Sequence, residues 1–370
     1  MLFFSGGSAL RHLCQELIAH THNSTHLLTP FDSGGSTAEL RKCLNIPALG
    51  DLRSRLTALI DPNRKDYRAI TQLFSFRLDT HKSRDASISF IQELIDGKSS
   101  MISPISSPLK QIIQEYLRTF CVEIDKQFNY NQAAIGNLIL AGGYLKYSQI
   151  EPCLFELSGA MSVRGKVRLT VNENYHLVAS LADGKTLIGQ HNITGKETPP
   201  IDSPIQSLHL SSTLETNNPV RCSVSDINSK LIKNADLICY SPGSFYSSLL
   251  ANFLPEGISK AISQNPNPKV YIPNLGSDPE AHGLSTEKSI EKLVRFLSHH
   301  LSNEKNRALK SPNFLTHVLI DHHSQYYEGE VDDAKWAKLG IKIMRCDLTS
   351  DAYAPYYDPK KLSKAILSLG

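Results

Sequence analysis

The chain contains no apolar stretch approaching the ~20 residues that a membrane-spanning helix requires, which excludes the usual helical membrane classes. Its opening residues, Met1-Leu2-Phe3-Phe4-Ser5-Gly6-Gly7, lack the basic segment and the longer apolar run of a signal peptide, so export is not expected. No run of Lys and Arg reaches five residues and the formal net charge is only +3, so electrostatics suggest no nucleic-acid partner. The seven cysteines (Cys14, Cys43, Cys121, Cys153, Cys222, Cys239 and Cys346) are odd in number, scattered, and form no CxxC pair. That pattern argues against a zinc ribbon and a disulfide scaffold, and for reduced thiols in a cytoplasmic protein. There is no internal repeat, and no Gly/Ser linker divides the chain, so residues 1–370 read as a single domain. With 41% hydrophobic and 20% charged residues, that length is enough to bury a proper core.

What is present reads as alternating strands and helices. Leu2-Phe3-Phe4 is a short buried strand, followed by Gly6-Gly7-Ser8 and by Leu10, Leu13, Leu17 and Ile18 at helical spacing. A second strand spans His26–Thr29, ends in Asp32-Ser33-Gly34-Gly35-Ser36, and leads to a helix around Thr37–Cys43. A third unit begins at Leu49-Gly50-Asp51, with Leu52, Leu56, Leu59 and Ile60 on one helical face and Asp51 as an N-cap. Helical periodicity then dominates roughly 61–128, which reads as a helical insertion with a Ser/Pro-rich loop at Ser99–Pro108. Ile135–Leu145 is a further apolar helix, opened by Gly136-Asn137. From Lys166 to Thr194 the period becomes two, with Val167, Leu169 and Val171 alternating and a turn at Asn172–Asn174, which predicts an antiparallel hairpin region. Leu237–Tyr240, Val270–Ile272, Val318–Ile320 and Ile341–Met344 read as buried strands with helices between them, one carrying Leu249, Leu250 and Phe253. The fold class is therefore α/β, with a mostly parallel sheet covered on both faces.

Ligands in such sheets bind on the loops at the carboxyl ends of the strands. Four loops are chemically unusual. Ser5-Gly6-Gly7-Ser8 suits backbone contact with a phosphate at a helix start, or is a plain tight turn; it is neither a GxGxxG fingerprint nor a Walker loop. Asp32-Ser33-Gly34-Gly35-Ser36 suits a divalent cation or a ribose hydroxyl, or is a cluster of helix-capping residues. Gly50-Asp51-Leu52-Arg53 again offers an acid at a helix start and on its own reads first as a helix cap; even so, Asp32 and Asp51 at neighbouring strand ends could share one metal ion. Ser241-Pro242-Gly243-Ser244-Phe245-Tyr246 reads as a second anion cradle, and it is not the GxSxG elbow of a serine hydrolase.

Two histidine groups remain. Asp321-His322-His323 follows a buried strand and shares its letters with the metal-binding signature of a phosphoesterase superfamily. The upstream paired aspartates of that superfamily are missing, so the triplet reads as a strand-end polar cluster. His20, His22 and His26 read as a surface connection.

Taken in order, Phe4–Ser8, Asp32–Arg41, Leu49–Arg53, Ile135–Leu138, Ser241–Tyr246 and Val270–Asn274 resemble the loops of the 2-phospho-L-lactate transferase (CofD) family, most of all its gluconeogenesis-factor branch. The corresponding family strings read like GGGTG, DDGGSSGRLR, PGDIRN, GNLLLA, GPGSLYTS and VCN. The resemblance implies a Rossmann-like three-layer fold, a homodimer, and a phosphorylated nucleotide-type ligand such as a nucleotide sugar or nucleotide diphosphate. It also implies Mg²⁺ at Asp32 and Asp51, with either transfer of a phospho-linked group or ligand binding without turnover. It assigns ligand contacts to Gly6, Gly7, Ser8, Ser33, Gly34, Gly35, Ser36, Arg53, Asn137, Ser241, Pro242, Gly243, Ser244, Tyr246 and Asn274. The chain departs from the pattern at Ser5, Ser8 and Ala9, at Ser33 in place of a second acid, and at Ala38 and Glu39.

Overall fold

The computed structural model describes residues 1–7, 9–195, 198–276, 278–299 and 311–370. The first half runs β1 (Leu2–Ser5), α1 (Arg11–Leu17), β2 (Thr25–Leu28), α2 (Gly35–Leu44), α3 (Gly50–Ala58), α4 (Tyr67–Ser75), α5 (Arg84–Ile95), α6 (Leu109–Glu123), α7 (Ile135–Tyr147), α8 (Ile150–Ala160) and β3 (Lys166–Leu169). It continues with β4 (His176–Leu181), β5 (Thr186–Ile188), α9 (Gln190–Ile193), β6 (Ile205–Ser211), β7 (Pro219–Val220), α10 (Asp226–Lys233) and β8 (Ile238–Tyr240). The last part holds α11 (Ile258–Gln264), β9 (Lys269–Tyr271), α12 (Thr286–His299), β10 (His317–Asp321), α13 (Asp333–Lys338), β11 (Lys342–Cys346) and α14 (Pro359–Leu367).

Seven strands form one sheet in the order β11-β10-β9-β8-β1-β2-β3, and every pairing between them is parallel. Parallel strands buried on both faces need apolar residues at successive positions, which is why Leu2-Phe3-Phe4 reads as a continuous run. Successive side chains go to opposite faces. Phe3 joins the core shared with α1, α3, the α4–α8 helices and α14, whereas Leu2 and Phe4 join the core under the second sheet, α11 and α12. The result is the expected Rossmann-like α/β arrangement. The region expected as an insertion contributes α4, α5 and α6, whose buried faces belong to the same core as Phe3.

The antiparallel part differs in its extent from the alternation in the sequence. Val167 and Leu169 lie in β3, a parallel edge strand paired with β2, not in a hairpin. The antiparallel sheet has the order β5-β4-β6-β7 and starts only at His176, beyond the Asn172–Asn174 turn. Alternation reports one buried face and is blind to which strand supplies the neighbour. His26 also departs from the surface connection expected of it. It is fully buried in β2 and stacks on Phe3 at 5.0 Å.

From β1 the chain steps through β2 to β3 on one side, then returns through β8 and proceeds outward to β11 on the other. The strand order therefore reverses between β1 and β8, and a crevice opens there at the carboxyl ends. The loops after β1, β2 and β8 all emerge at that end, as expected.

Two glycines test the packing. A Cβ added at Gly142 in α7 would sit 1.8 Å from the Tyr116 carbonyl oxygen of α6, so these helices cross at backbone contact; at Gly159 in α8 nothing lies within 4 Å. We expect Gly142→Ala to destabilise the fold by about 1–3 kcal/mol through overpacking. Gly159→Ala should stabilise it by up to about 1 kcal/mol by restricting the unfolded chain. Urea denaturation of both variants checks the opposite signs.

Candidate functional site

At the crevice between β1 and β8, the chain backbones approach so closely that only glycine fits. A Cβ on Gly6 would lie 2.6 Å from Ser248 Oγ and 3.5 Å from Asp51 Oδ2, and one on Gly7 would lie 2.1 Å from Asp51 Oδ1. A Cβ on Gly50 would lie 3.0 Å from Thr37 Oγ1 and 3.5 Å from Asp32 Oδ2. The loop after β1, the loop after β2 and the start of α3 thus converge, with the Asp51 carboxylate against Gly6 and Gly7 and the Asp32 carboxylate against Gly50. Asp51 gets there differently from the sequence expectation. It is not the N-cap, a position held by Leu49, and α3 follows α2 without an intervening strand. Asp51 sits in the first turn of α3, where the helix dipole favours a negative charge.

The first loop is held from beneath by Arg55 of α3, which is fully buried. Its guanidinium donates to the Gly6 carbonyl at 2.8 Å, to Ser5 Oγ at 3.1 Å and to Cys14 Sγ. Ser5, a departure from the family pattern, is thereby accounted for: its hydroxyl accepts from a buried cation. Arg55 shares a helical face with Leu52, Leu56 and Leu59, so a lone charge on an apolar stripe was the signal that could have found it. α1 begins only at Arg11, so the helix start is separated from Gly7 by a further turn. Ser8 lies outside the described residues.

Arg41 of α2 plays a similar part for the second loop. Buried to 3% exposure, it donates to the carbonyls of Phe31, Asp32 and Tyr175 and to Asn174 Oδ1. Burial lowers its pKa to about 10, against the opposing pull of Asp32. Asp32 Oδ1 accepts from Gly34 N at 3.1 Å. Gly35 adopts φ +50°, a conformation that favours glycine. Ser33, in the place of a second acid, bonds through Oγ to His191 Nδ1 at 2.8 Å and accepts from His191 N at 3.2 Å. That contact spans 158 residues and joins the crevice to α9. No local motif announces His191. Ser36 Oγ lies 3.5 Å from Asn137 Nδ2.

The loop after β8 is capped internally. Asn274 brackets Gly243, accepting from its N–H and donating to its carbonyl, both at 2.5 Å. The chain then forms one π-helical turn (Phe245–Leu249) and a 3₁₀ turn (Leu250–Phe253) in place of the expected α-helix. Phe245 N donates to Asp278 Oδ2 at 2.7 Å, and Ser247 N to the buried Glu280 at 2.8 Å. Amides expected to hold a phosphate are therefore engaged by the protein's own carboxylates. Tyr246 is buried, with its hydroxyl accepting from Lys292 Nζ at 2.7 Å, on the side of the core rather than in the crevice. Pro242 and Ser244 flank the turn and are partly exposed.

Arg53 is half-buried beside Gly136, whose added Cβ would meet Arg53 Cδ at 2.7 Å, and it donates to the Phe74 carbonyl at 3.1 Å. Burial and the proximity of Arg77 lower its pKa to about 10, with Asp51 opposing and Arg11 adding to the repulsion. Arg77, Arg11 and Asp51 thus all act on Arg53, although the glycine loops themselves carry no cation. Buried polar atoms without a hydrogen-bond partner among the described residues include Arg53 Nε, Asn137 Oδ1, Ser241 Oγ and Asn252 Oδ1. Asn252 donates to the Ser5 carbonyl, which places its unpaired oxygen at the same crevice. Such atoms are uncommon in native interiors, where water, an ion or a ligand completes the bonding.

The family described as 2-phospho-L-lactate transferase CofD matches residues 1–349. The chain belongs to the CofD family. Relatives include the gluconeogenesis factor of Halalkalibacterium halodurans, 28% identical over 80% of this chain and 72% of the relative. The gluconeogenesis factor of Bacillus subtilis is 28% identical over 75% of this chain and 68% of the relative. A putative gluconeogenesis factor of Aquifex aeolicus is 25% identical over 98% and 94%. Among solved structures, a UPF0052 family member from Bacillus halodurans shares the fold, with a TM-score of 0.69 and 23% identity over 99% of this chain and 98% of that one.

Two consequences of this CofD-family site are measurable. Arg55→Leu leaves the Gly6 carbonyl and Ser5 hydroxyl unpaired and should cost about 1–3 kcal/mol. Faster amide hydrogen exchange in residues 5–7 than in distant strands would mark the loss as local. Burial also keeps His26 well below its ordinary 6.5, with Arg55 adding to the effect, and holds His176 at about 4. Above pH ~6.5 both rings are neutral folded and unfolded. Below it the unfolded chain takes up protons that the folded chain does not, so stability falls by up to about 1.4 kcal/mol per pH unit for each ring. For His176 the decline ends near pH 4. Denaturation midpoints from pH 7 to 4.5 should show that slope, and His176→Asn should flatten it.

Proposed function

We propose that this CofD-family protein binds a phosphorylated nucleotide-type ligand, a nucleotide sugar or nucleotide diphosphate, at the β1/β8 crevice together with a divalent cation. The observation that carries this reading is the placement of the Asp51 carboxylate against Gly6 and Gly7 and of the Asp32 carboxylate against the adjoining Gly50. A diphosphate handled with Mg²⁺ calls for carboxylates to hold the metal and cations to balance the remaining charge. Arg53, on which Asp51, Arg77 and Arg11 all act, supplies the second element, and the buried polar atoms without a protein partner around the crevice add support.

The donor set fits Mg²⁺. Asp32, Asp51 and Thr37 offer only oxygen, the hard ligand type this ion prefers. In this reading Asp32 and Asp51 hold the ion, which would neutralise diphosphate charge when bound. The Gly6–Gly7 backbone seats the phosphate, Arg55 keeps that loop in place, and Asn137 and Ser241 offer polar atoms to the sugar or base. The phosphates sit towards the first loop, because the amides after Ser244 already bond Asp278 and Glu280. Ser33 in place of a second acid favours ligand binding, as in a regulatory protein, over turnover. Two features keep phospho-group transfer as a second reading: the retained Asp32 and Asp51, and the matching family's description as a transferase. The reading places the protein in the cytoplasm, as a homodimer by family analogy.

Calorimetric titration with UDP-sugars, GDP and other nucleotide diphosphates, with and without Mg²⁺, tests the proposal. We expect Mg²⁺-dependent binding that Asp32→Asn weakens at least about tenfold (1.4 kcal/mol) while the variant stays folded. Absence of binding by every ligand, or equal affinity in wild type and Asp32→Asn irrespective of Mg²⁺, rejects it. Product analysis of the same mixtures decides between binding alone and transfer.

A further inference from the structure

At the carboxyl end of β10, three strands along the sheet from β1, the chain carries Asp321, His322 and His323. Asp321 is fully buried while both histidines are exposed. One ligand-capable atom from each of the three side chains lies within 4.8 Å of the other two. The carboxylate is fixed: Oδ2 accepts from Leu348 N at 2.7 Å, and Oδ1 accepts from His323 N at 2.8 Å. Oδ1 also pairs with His323 Nδ1 at 2.7 Å, which sets the orientation of that ring. The His322 ring lies beside it, with centroids 4.1 Å apart and planes tilted by 35°.

Capping the turn after β10 accounts for the carboxylate, since two backbone amides donate to it. It engages His323 through Nδ1 alone and does not account for the His322 imidazole. Two imidazoles held side by side against a rigid carboxylate, with their outer faces in water, form a preorganised N₂O donor set with open positions. We propose that Asp321, His322 and His323 bind a divalent transition-metal ion, with water completing its coordination.

The donor chemistry selects the metal. Imidazole nitrogen suits Zn²⁺, Co²⁺, Ni²⁺ or Fe²⁺ and disfavours Mg²⁺, which prefers oxygen. This site is thus chemically distinct from the oxygen-only set at Asp32 and Asp51 and does not depend on the function assigned to that set. Three protein ligands and exposed remaining positions match the open type of site rather than a closed structural one. Asp321 supplies an anionic ligand already held by two amides; on binding, either His323 coordinates through Nε2 and keeps its Nδ1 bond to Asp321, or the Nδ1 proton passes to water.

The test uses the full-length, tag-free chain stripped with a chelator. Co²⁺ is titrated while its visible absorption is followed, and Zn²⁺ is then used to displace it. We expect one equivalent of Co²⁺ to bind, Zn²⁺ to displace it, and His322→Gln/His323→Gln to weaken binding by at least tenfold. Both histidines are exposed, so this variant should fold, and circular dichroism verifies it. Asp32→Asn serves as a second variant and should bind Co²⁺ as the wild type does. Absence of binding, binding undiminished in the double histidine variant, or binding abolished by Asp32→Asn each overturns the proposal.

Discussion

A single buried guanidinium ties the working edge of this molecule together. Arg55 reaches from α3 to Ser5 and Gly6, and so fixes the end of the central strand relative to the helix that carries Asp51 and Arg53. Without that bridge, the close approach of Gly7 to Asp51 would have no fixed register. Burying such a cation costs several kcal/mol in desolvation. The cost is offset by hydrogen bonds to a carbonyl, a hydroxyl and a thiol. The buried His26 nearby stays neutral partly because Arg55 is there. Arg55 thus contributes both to the electrostatics of the strand core and to the geometry of the crevice.

Much of the fold was legible because parallel strands announce themselves. Leu2-Phe3-Phe4 and Val318-Leu319-Ile320 are short apolar runs ended by Gly, Ser or Asp, and that punctuation places their loops at one end of the sheet. The ordered loop motifs made the family readable, and they also drew attention to Asp32 and Asp51. Long-range partnerships were not legible. Ser33 meets His191 across 158 residues, and Asn274, Asp278 and Glu280 cap a turn some thirty residues before them in the chain. β3 was misread because an edge strand of a parallel sheet alternates like a hairpin strand. His26 was misread because neighbouring exposed histidines suggested a loop, whereas its place in β2 turns it into the core.

The crevice is also a mixed-charge environment. Asp51 acts on Arg53, whose pKa is lowered by burial and by the neighbouring Arg77 and Arg11. Arrangements of this kind separate functional edges from ordinary capped loops, since a capped loop needs neither repelling cations nor orphaned buried atoms. The departures from the family pattern fall inside it. Ser5 takes a bond from Arg55, and Ser33 takes one from His191, so each substituted side chain has a specific partner.

The self-capped turn after β8 gives the crevice a polarity. On one wall, the Gly6–Gly7 backbone lies against the Asp51 carboxylate. On the other, Asp278 and Glu280 already occupy the amides, so that wall repels negative charge. Under the proposed function, a ligand with one anionic end and one neutral, hydroxyl-bearing end settles in one direction only. The orientation is dictated before any contact to its neutral end is made, much as a keyed plug fits its socket one way round.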